Sequence, residues 1–215
     1  MLNPIVILDT LPAASPQPHA IAIDGQRVWI SSRASKRIDV MDRDAWHKID
    51  GLVPPGMPLG MTFGNGDIVM TCGEGDDDTR RIRRYTPGVG FVDGYLACPD
   101  DTGSHLAIDA DGRVLLGQWY NKRLLSLRDD GSVAREIATP HGIAGVAVIG
   151  DNACVLGTDD EDDGEYYISR VDLRTGEAAD LATVPFRARG LAWDGSRFWT
   201  NEREADRTMT FVLPS

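Results

Sequence analysis

The chain of 215 residues contains 33 Asp and Glu against 22 Lys and Arg, which gives a formal net charge of −11. Nucleic acids and anionic membranes bind basic surfaces, so this balance excludes both as expected partners. The N-terminus lacks the basic segment of a signal peptide, no run reaches the length of a membrane span, and three isolated cysteines suit reduced thiols. We therefore expect a cytoplasmic protein.

Five repeats of strand, tight turn and strand fill the chain. Their apolar first strands begin at Ala20, Gly60, His105, Gly145 and Gly190, so neighbouring repeats are 40 or 45 residues apart. The best-formed example is HLAIDADGRVLLGQWYNKRLLSL, which starts at His105, and Asp-Gly or Asn-Gly pairs mark the first turn of most repeats. Repeats of this length with several short strands are typical of a β-propeller.

The sequence predicts an all-β, five-bladed β-propeller with four-stranded antiparallel blades. First strands are apolar throughout, as strands covered on both faces should be, and third strands alternate. A single domain of residues 1–215 contains blades at approximately 19–56, 57–101, 102–141, 142–187 and 188–215. An N-terminal strand within residues 4–10 joins the C-terminal blade and closes the ring, because closure removes two exposed sheet edges.

The repeat beginning at His105, with its Asp-Asp-Gly hairpin, resembles blades of the gluconolactonase/SMP-30, NHL-repeat and streptogramin lyase group of propellers. The resemblance covers nearly the whole chain and implies a propeller that acts on small molecules. In gluconolactonase-like members, an Asp or Asn just before the Gly that leads an inner strand ligates a divalent cation. The positions here that match this slot contain neither residue type: His19, Leu59, Ser104, Ala144 and Arg189. We therefore expect no metal at the channel.

Residues before the inner strands and after the second strands of a propeller meet at one mouth of its channel. A histidine near a carboxylate can act as a general base at neutral pH, so the candidate catalytic residues are His19, His105 and Glu202. The candidate substrate-binding residues combine charge, amide groups and an aromatic ring: Arg33, Glu74, Gln118, Trp119 and Arg189. The alternative is that the histidines and arginines form salt bridges that plug a narrow axis.

Three further features allow more than one interpretation. Trp119 and Tyr120 are either a stacking platform for a ligand or packing against the next blade. The loop from Asp159 matches the first half of a calcium loop but has Arg170 where the bidentate Glu belongs, so it predicts weak calcium binding or a solvated loop. Cys72 is either a buried thiol or a nucleophile.

The function that these features favour is a metal-independent hydrolase, lyase or cyclase that binds a small organic substrate at the channel mouth. We expect it to be a monomer without a cofactor. The alternative is a non-catalytic propeller that binds a small molecule or a protein partner, and the sequence names neither substrate nor reaction.

Overall fold

The computed structural model describes residues 2–214 and contains five antiparallel sheets arranged as the blades of a β-propeller. The prediction of a five-bladed all-β fold is confirmed. The chain begins with β1 (Val6–Pro12), and the first two blades contain β2 (Pro18–Asp24), β3 (Arg27–Ser32), β4 (Arg37–Asp42), β5 (Lys48–Leu52), β6 (Met57–Gly64), β7 (Asp67–Glu74), β8 (Thr79–Thr86), β9 (Gly90–Phe91) and β10 (Leu96–Ala97).

A 3₁₀ turn at Pro99–Asp101 leads into the third blade. The remaining three blades contain β11 (Leu106–Ile108), β12 (Val114–Gln118), β13 (Arg123–Leu127), β14 (Val133–Ala138), β15 (Gly142–Ile149), β16 (Asn152–Thr158), β17 (Tyr166–Asp172), β18 (Ala178–Val184), β19 (Ala188–Trp193), β20 (Phe198–Glu202) and β21 (Arg207–Val212). In the second blade the outer strand is split, because β9 and β10 each pair with β8.

The N-terminal strand closes the ring, as the sequence predicts. Strand β1 pairs antiparallel with β21, so the last blade has the strand order β1-β21-β20-β19. The strand covers Val6–Pro12, two residues later than the predicted segment. The segment before it contacts the fourth blade, where the amide of Ile5 donates to the carbonyl oxygen of Thr183 at 2.9 Å. The N-terminus therefore connects two blades.

The inner strands approach one another so closely that side chains are excluded at several leading positions. A Cβ atom on Gly60 would overlap the carbonyl oxygen of Ser104, and one on Gly145 would lie 2.7 Å from the backbone of Gly190. In four blades a β-bulge interrupts the pairing of the inner and second strands at this point. Such bulges redirect side chains, which places these residues at the channel mouth.

Polar side chains at equivalent positions of three second strands connect neighbouring blades. The hydroxyl of Ser31 donates to the carbonyl oxygen of Pro58 at 3.1 Å, and that of Thr71 donates to the carbonyl oxygen of Ser104. The amide of Asn201 donates to the carbonyl oxygen of His19 at 3.1 Å. These bonds hold each inner strand, and the residues before it, against the preceding blade.

Glycine occupies the same position in the other two blades. A Cβ atom on Gly117 would lie 2.8 Å from the side chain of Ile143, and one on Gly157 would lie 2.8 Å from that of His141. Direct packing therefore replaces the hydrogen bond at these two junctions.

The hydrophobic core lies between the faces of adjacent blades. One cluster combines Trp29 and Ile38 of the first blade with Met61, Ile68 and Met70 of the second. Within residues 2–214, no helix is long and apolar enough to cross a membrane.

The contact of Ser31 predicts a measurable loss of stability when its hydroxyl is removed. Ser31→Ala removes two buried hydrogen bonds, one accepted from the Ala20 amide at 2.8 Å and one donated to Pro58. We expect the free energy of unfolding in urea to fall by about 1–3 kcal/mol. The control is Ser35→Ala in the exposed loop that follows, which we expect to change it by less than about 0.5 kcal/mol. Equal values for the two variants would show that the bonds do not hold the blades together.

Candidate functional site

A cavity of about 470 Å³ opens at the channel mouth, within the size range of small-molecule sites. Its walls come from the residues before the inner strands and from the loops after the second strands. We call it the mouth cavity, and its lining residues are His19, Arg33, Leu59, Arg80, Thr102, Gly103, Ser104, His105, Trp119, Tyr120, Ile143, Asp159, Asp160, Glu161, Asp162 and Arg189.

The two predicted histidines lie side by side at the base of the mouth cavity. His19 belongs to β2 and His105 lies directly before β11, and their ring centroids are 5.5 Å apart. Both side chains are buried. Burial, followed by the charge of Arg189, lowers the pKa of His105 from 6.5 to about 3. Both imidazoles are therefore neutral at pH values near 7, since burial lowers the pKa of His19 as well.

Positive charge on three arginines adds to the effect of burial on His19. After burial and His105, the charges of Arg189, Arg203 and Arg33 lower the pKa of His19 further. Burial, followed by the charges of Arg189 and Arg33, also lowers the pKa of Arg203. Guanidinium groups that repel one another in this way attract carboxylates, and that of Glu161 already lies beside Arg189.

The guanidinium of Arg189 is only 2% exposed and is the most deeply placed charge of the site. Its Nη1 atom donates to the hydroxyl of Tyr166 at 2.6 Å and to the carbonyl oxygen of Ala188 at 3.1 Å. Its Nη2 atom lies 2.9 Å from a carboxylate oxygen of Glu161, which forms an ion pair. The two groups form no hydrogen bond, so Nη2 has no hydrogen-bond partner in the protein.

Polar atoms without a partner are concentrated around the mouth cavity. Of the seven buried side-chain nitrogen and oxygen atoms in residues 2–214 that have no hydrogen-bond partner in the protein, four belong to residues of its lining. They are His19 Nδ1, Ser104 Oγ, Trp119 Nε1 and Arg189 Nη2. Because buried polar groups are nearly always paired, this concentration is typical of a site that binds a polar ligand.

Three residues that the sequence suggested for the site do not line the mouth cavity. Glu74 accepts hydrogen bonds from Arg83 at 2.7 Å, which hold the pKa of its carboxyl below the usual value. The amide of Gln118 donates to backbone oxygens of the 3₁₀ turn and the following loop, at 2.8 and 3.0 Å. Glu202 faces Arg207 at 3.8 Å.

These three residues therefore lie outside the lining of the mouth cavity, and their contact with a ligand stays a prediction. Each follows or ends a second strand, as the repeat alignment indicated, but the side chains of Glu74 and Glu202 instead pair with arginines of the adjacent third strands. The candidate base therefore has no carboxylate partner in Glu202, and the carboxylate that contacts Arg189 belongs to Glu161.

The aromatic residues after β12 combine both of the roles considered from the sequence. Trp119 lines the mouth cavity and also packs on Gly142 of β15, where a Cβ atom would lie 2.8 Å from the indole. Tyr120 is 84% exposed at the rim, with its ring centroid 5.0 Å from that of Trp119. Tyr120 is thus free to contact a ligand, whereas Trp119 is held by the fourth blade.

The loop after β16 forms the acidic side of the mouth cavity. Its first residue, Asp159, pairs with Lys122 at 2.8 Å and with His141 at 3.0 Å. Within residues 2–214 no three His, Cys, Asp or Glu side chains are grouped so as to hold a metal ion. Burial raises the pKa of the Cys72 thiol to about 12, which keeps it protonated and unsuited to nucleophilic attack.

Sequence reasoning did not assign a role to Tyr166 or Glu161, although both contact Arg189. The signal that could have found them is the Tyr-Tyr pair that ends the acidic loop and begins β17. A buried tyrosine hydroxyl needs a polar partner, and the buried Arg189 is the nearest candidate on the adjacent blade.

Comparisons with known proteins bear on the fold. No protein-family model matches the sequence, and no curated protein matches it. Among solved structures, the glutaminyl cyclase of Myxococcus xanthus is similar with a TM-score of 0.73 over 98% of each chain, at 10% identity. The virginiamycin B lyase of Staphylococcus aureus is similar with a TM-score of 0.54 over 96% of this chain and 99% of that chain, at 15% identity.

A streptogramin B lyase has a TM-score of 0.52 over 96% of this chain and 97% of that chain, at 13% identity. At such low identity these likenesses show the fold alone. The chain is a five-bladed β-propeller whose structural neighbours include streptogramin lyases and a glutaminyl cyclase, in agreement with the resemblance of its repeats.

Proposed function

We propose that this protein is an enzyme that binds the anionic group of a small organic substrate in the mouth cavity and transfers a proton through His19. The observation that carries the proposal is the buried guanidinium of Arg189, which has an unused donor beside two neutral imidazoles. A buried donor without a partner is costly for folding, and an oxygen atom of a substrate anion would accept a hydrogen bond from it.

We assign the proton exchange to His19 because one of its ring nitrogens lacks a hydrogen-bond partner. Its Nδ1 atom is buried and has no partner in the protein. A neutral imidazole can accept a proton from a reacting O–H, N–H or C–H group and return it to the leaving group, as histidine does in many enzymes that catalyse acyl transfer or elimination. Such a shuttle serves a hydrolase, a lyase or a cyclase and requires no metal.

Substrate binding would strengthen His19 as a base. The charges of three arginines contribute to the low pKa of this histidine. A substrate carboxylate would add one negative charge to this positive field, because a displaced Glu161 stays on the same loop, and the pKa of His19 would rise toward its usual value. The free site would then hold a weak base, and the occupied site a stronger one.

The fold neighbours support this class of reaction without naming it. A glutaminyl cyclase and two lyases share the propeller architecture over nearly the whole chain. Proton transfer by side chains at the mouth cavity is compatible with cyclisation and with elimination. We therefore favour a cyclase or lyase over a binding protein.

If an anion binds at the mouth cavity, changing an exposed arginine of the lining should reduce the rise in melting temperature that the anion causes. Small carboxylates that bind should raise the melting temperature, because they bind only the folded state. We expect Arg33→Gln to reduce this shift and Arg37→Gln to leave it unchanged. Both arginines are exposed in the first blade, but only Arg33 lines the mouth cavity. Equal shifts in both variants and wild type would contradict anion binding at this site.

The same compounds separate an enzyme from a binding protein. For any carboxylate that wild type converts, His19→Gln should lower kcat by about 10²–10⁴-fold while the thermal shift persists. Carboxylates that bind at Arg33 but are never converted would contradict catalysis and identify a non-catalytic binding propeller.

Neutral buried histidines predict a characteristic dependence of stability on pH. The pKa of His105 falls from 6.5 to about 3 on folding, so between these values the unfolded chain binds a proton that the folded chain does not. The contribution of neutral His105 to the free energy of unfolding is therefore complete above pH 6.5 and is lost as the pH falls below that value. Between about pH 7 and about pH 5, His105 should account for about 2 kcal/mol of the lost free energy of unfolding.

Urea unfolding at several pH values measures this dependence. His105→Gln should flatten the slope, whereas His47→Gln at an exposed position should preserve it. An unchanged slope in His105→Gln would show that folding does not lower the pKa of His105.

A further inference from the structure

The carboxylate of Glu161 lies where an anionic ligand of Arg189 would bind. Its Oε2 atom is 2.9 Å from Nη2 of Arg189, inside the mouth cavity. The arginine is 2% exposed and the glutamate side chain 44% exposed, so one partner is fixed and buried while the other faces solvent. We propose that Glu161 is a specificity-determining residue that occupies the anion position of Arg189 and is displaced by the carboxylate of the substrate. This inference rests on the proposed function only for the identity of the site.

Arg189 would keep its position when Glu161 leaves. Its Nη1 atom is held by the hydroxyl of Tyr166 at 2.6 Å and by the carbonyl oxygen of Ala188 at 3.1 Å. The guanidinium also lies over the Tyr166 ring, 5.5 Å from its centroid. None of these contacts involves the Glu161 side chain, so the anion position is built by the rest of the protein.

The backbone of the loop would also stay in place. The hydroxyl of Thr158 donates to the carbonyl oxygen of Asp160 at 2.7 Å, and the amide of Gly164 donates to the same oxygen at 3.1 Å. The hydroxyl of Tyr166 donates to the carbonyl oxygen of Glu161 at 2.9 Å. Because the backbone is anchored on both sides, displacement requires only a rotation of the Glu161 side chain.

The contact between Arg189 and Glu161 leaves room for a better partner. Nη2 of Arg189 makes no hydrogen bond with the Glu161 carboxylate, although the two atoms are 2.9 Å apart. A free carboxylate can orient itself to accept a hydrogen bond from Nη2, whereas the carboxylate of Glu161 is tethered to the loop. A ligand anion would therefore form the better pair.

The consequence for specificity is discrimination by charge. While the site is free, Glu161 compensates the buried guanidinium, which would otherwise be an uncompensated charge. A ligand with a carboxylate takes over that role when Glu161 leaves. A neutral isostere cannot, so it must bind with the ion pair intact and without access to Arg189.

Calorimetric titration of acetate and acetamide at constant ionic strength tests the proposal. Glu161→Gln removes the competing charge at nearly constant volume, and we expect it to bind acetate about two- to fivefold more tightly than wild type. Acetamide affinity should be the same in both proteins. The matched control is Asp162→Asn, which removes one acidic charge from the same loop and the same cavity at an exposed position. We expect its acetate affinity to change by less than about twofold, because salt screens an exposed charge.

Three results would overturn the proposal. Acetate affinity could be unchanged or weaker in Glu161→Gln, it could rise equally in both variants, or acetate could fail to bind any of the three proteins. The proposed enzymatic function is tested separately. If Glu161→Gln binds acetate more tightly but the protein converts no carboxylate, the role of Glu161 stands and the proposed enzymatic function is wrong.

Discussion

A charged guanidinium buried at the axis of the ring is the feature on which the site depends. The Arg189 side chain is 2% exposed, and a charge in that position is stable only with polar partners. The protein supplies the hydroxyl of Tyr166 and the carboxylate of Glu161 from a neighbouring blade. The same charge contributes to the low pKa of His19 and His105. One buried cation therefore adds to burial in keeping the imidazoles neutral, and it underlies the anion binding that we propose.

The architecture at the axis explains how such a site is held. Inner strands that approach within van der Waals distance require glycine at positions such as Gly60 and Gly190. Bulges at these positions turn the preceding residues toward the mouth. The side chains of Ser31 and Asn201 donate to backbone oxygens at the start of the inner strand of the next blade. The groups at the mouth are thus positioned by the most tightly packed part of the fold, which suits a preorganised site.

The fold could be predicted from the sequence because its signals are local and repeated. Five repeats of apolar strands, most of them marked by an Asp-Gly or Asn-Gly turn, define the blades, and the N-terminal strand needs a partner in the last blade. The site was predictable only in part. The rule that residues before the inner strands and after the second strands meet at one mouth selected five residues that line the cavity: His19, His105, Arg33, Trp119 and Arg189.

Glu74, Gln118 and Glu202 meet the same rule but do not line the cavity, because repeat alignment gives the position of a residue along its strand and not the direction of its side chain. Glu74 and Glu202 pair with arginines of adjacent strands. Repeat alignment could not find the role of Glu161, because this residue lies in the loop after β16, and the lengths of such loops differ from blade to blade. A crystal structure with 4-bromobenzoate, located by the anomalous signal of bromine, tests the central claim most directly. We expect the carboxylate at Arg189 with the Glu161 side chain turned outward; a mouth without the ligand, while bromine occupies other sites, would contradict it.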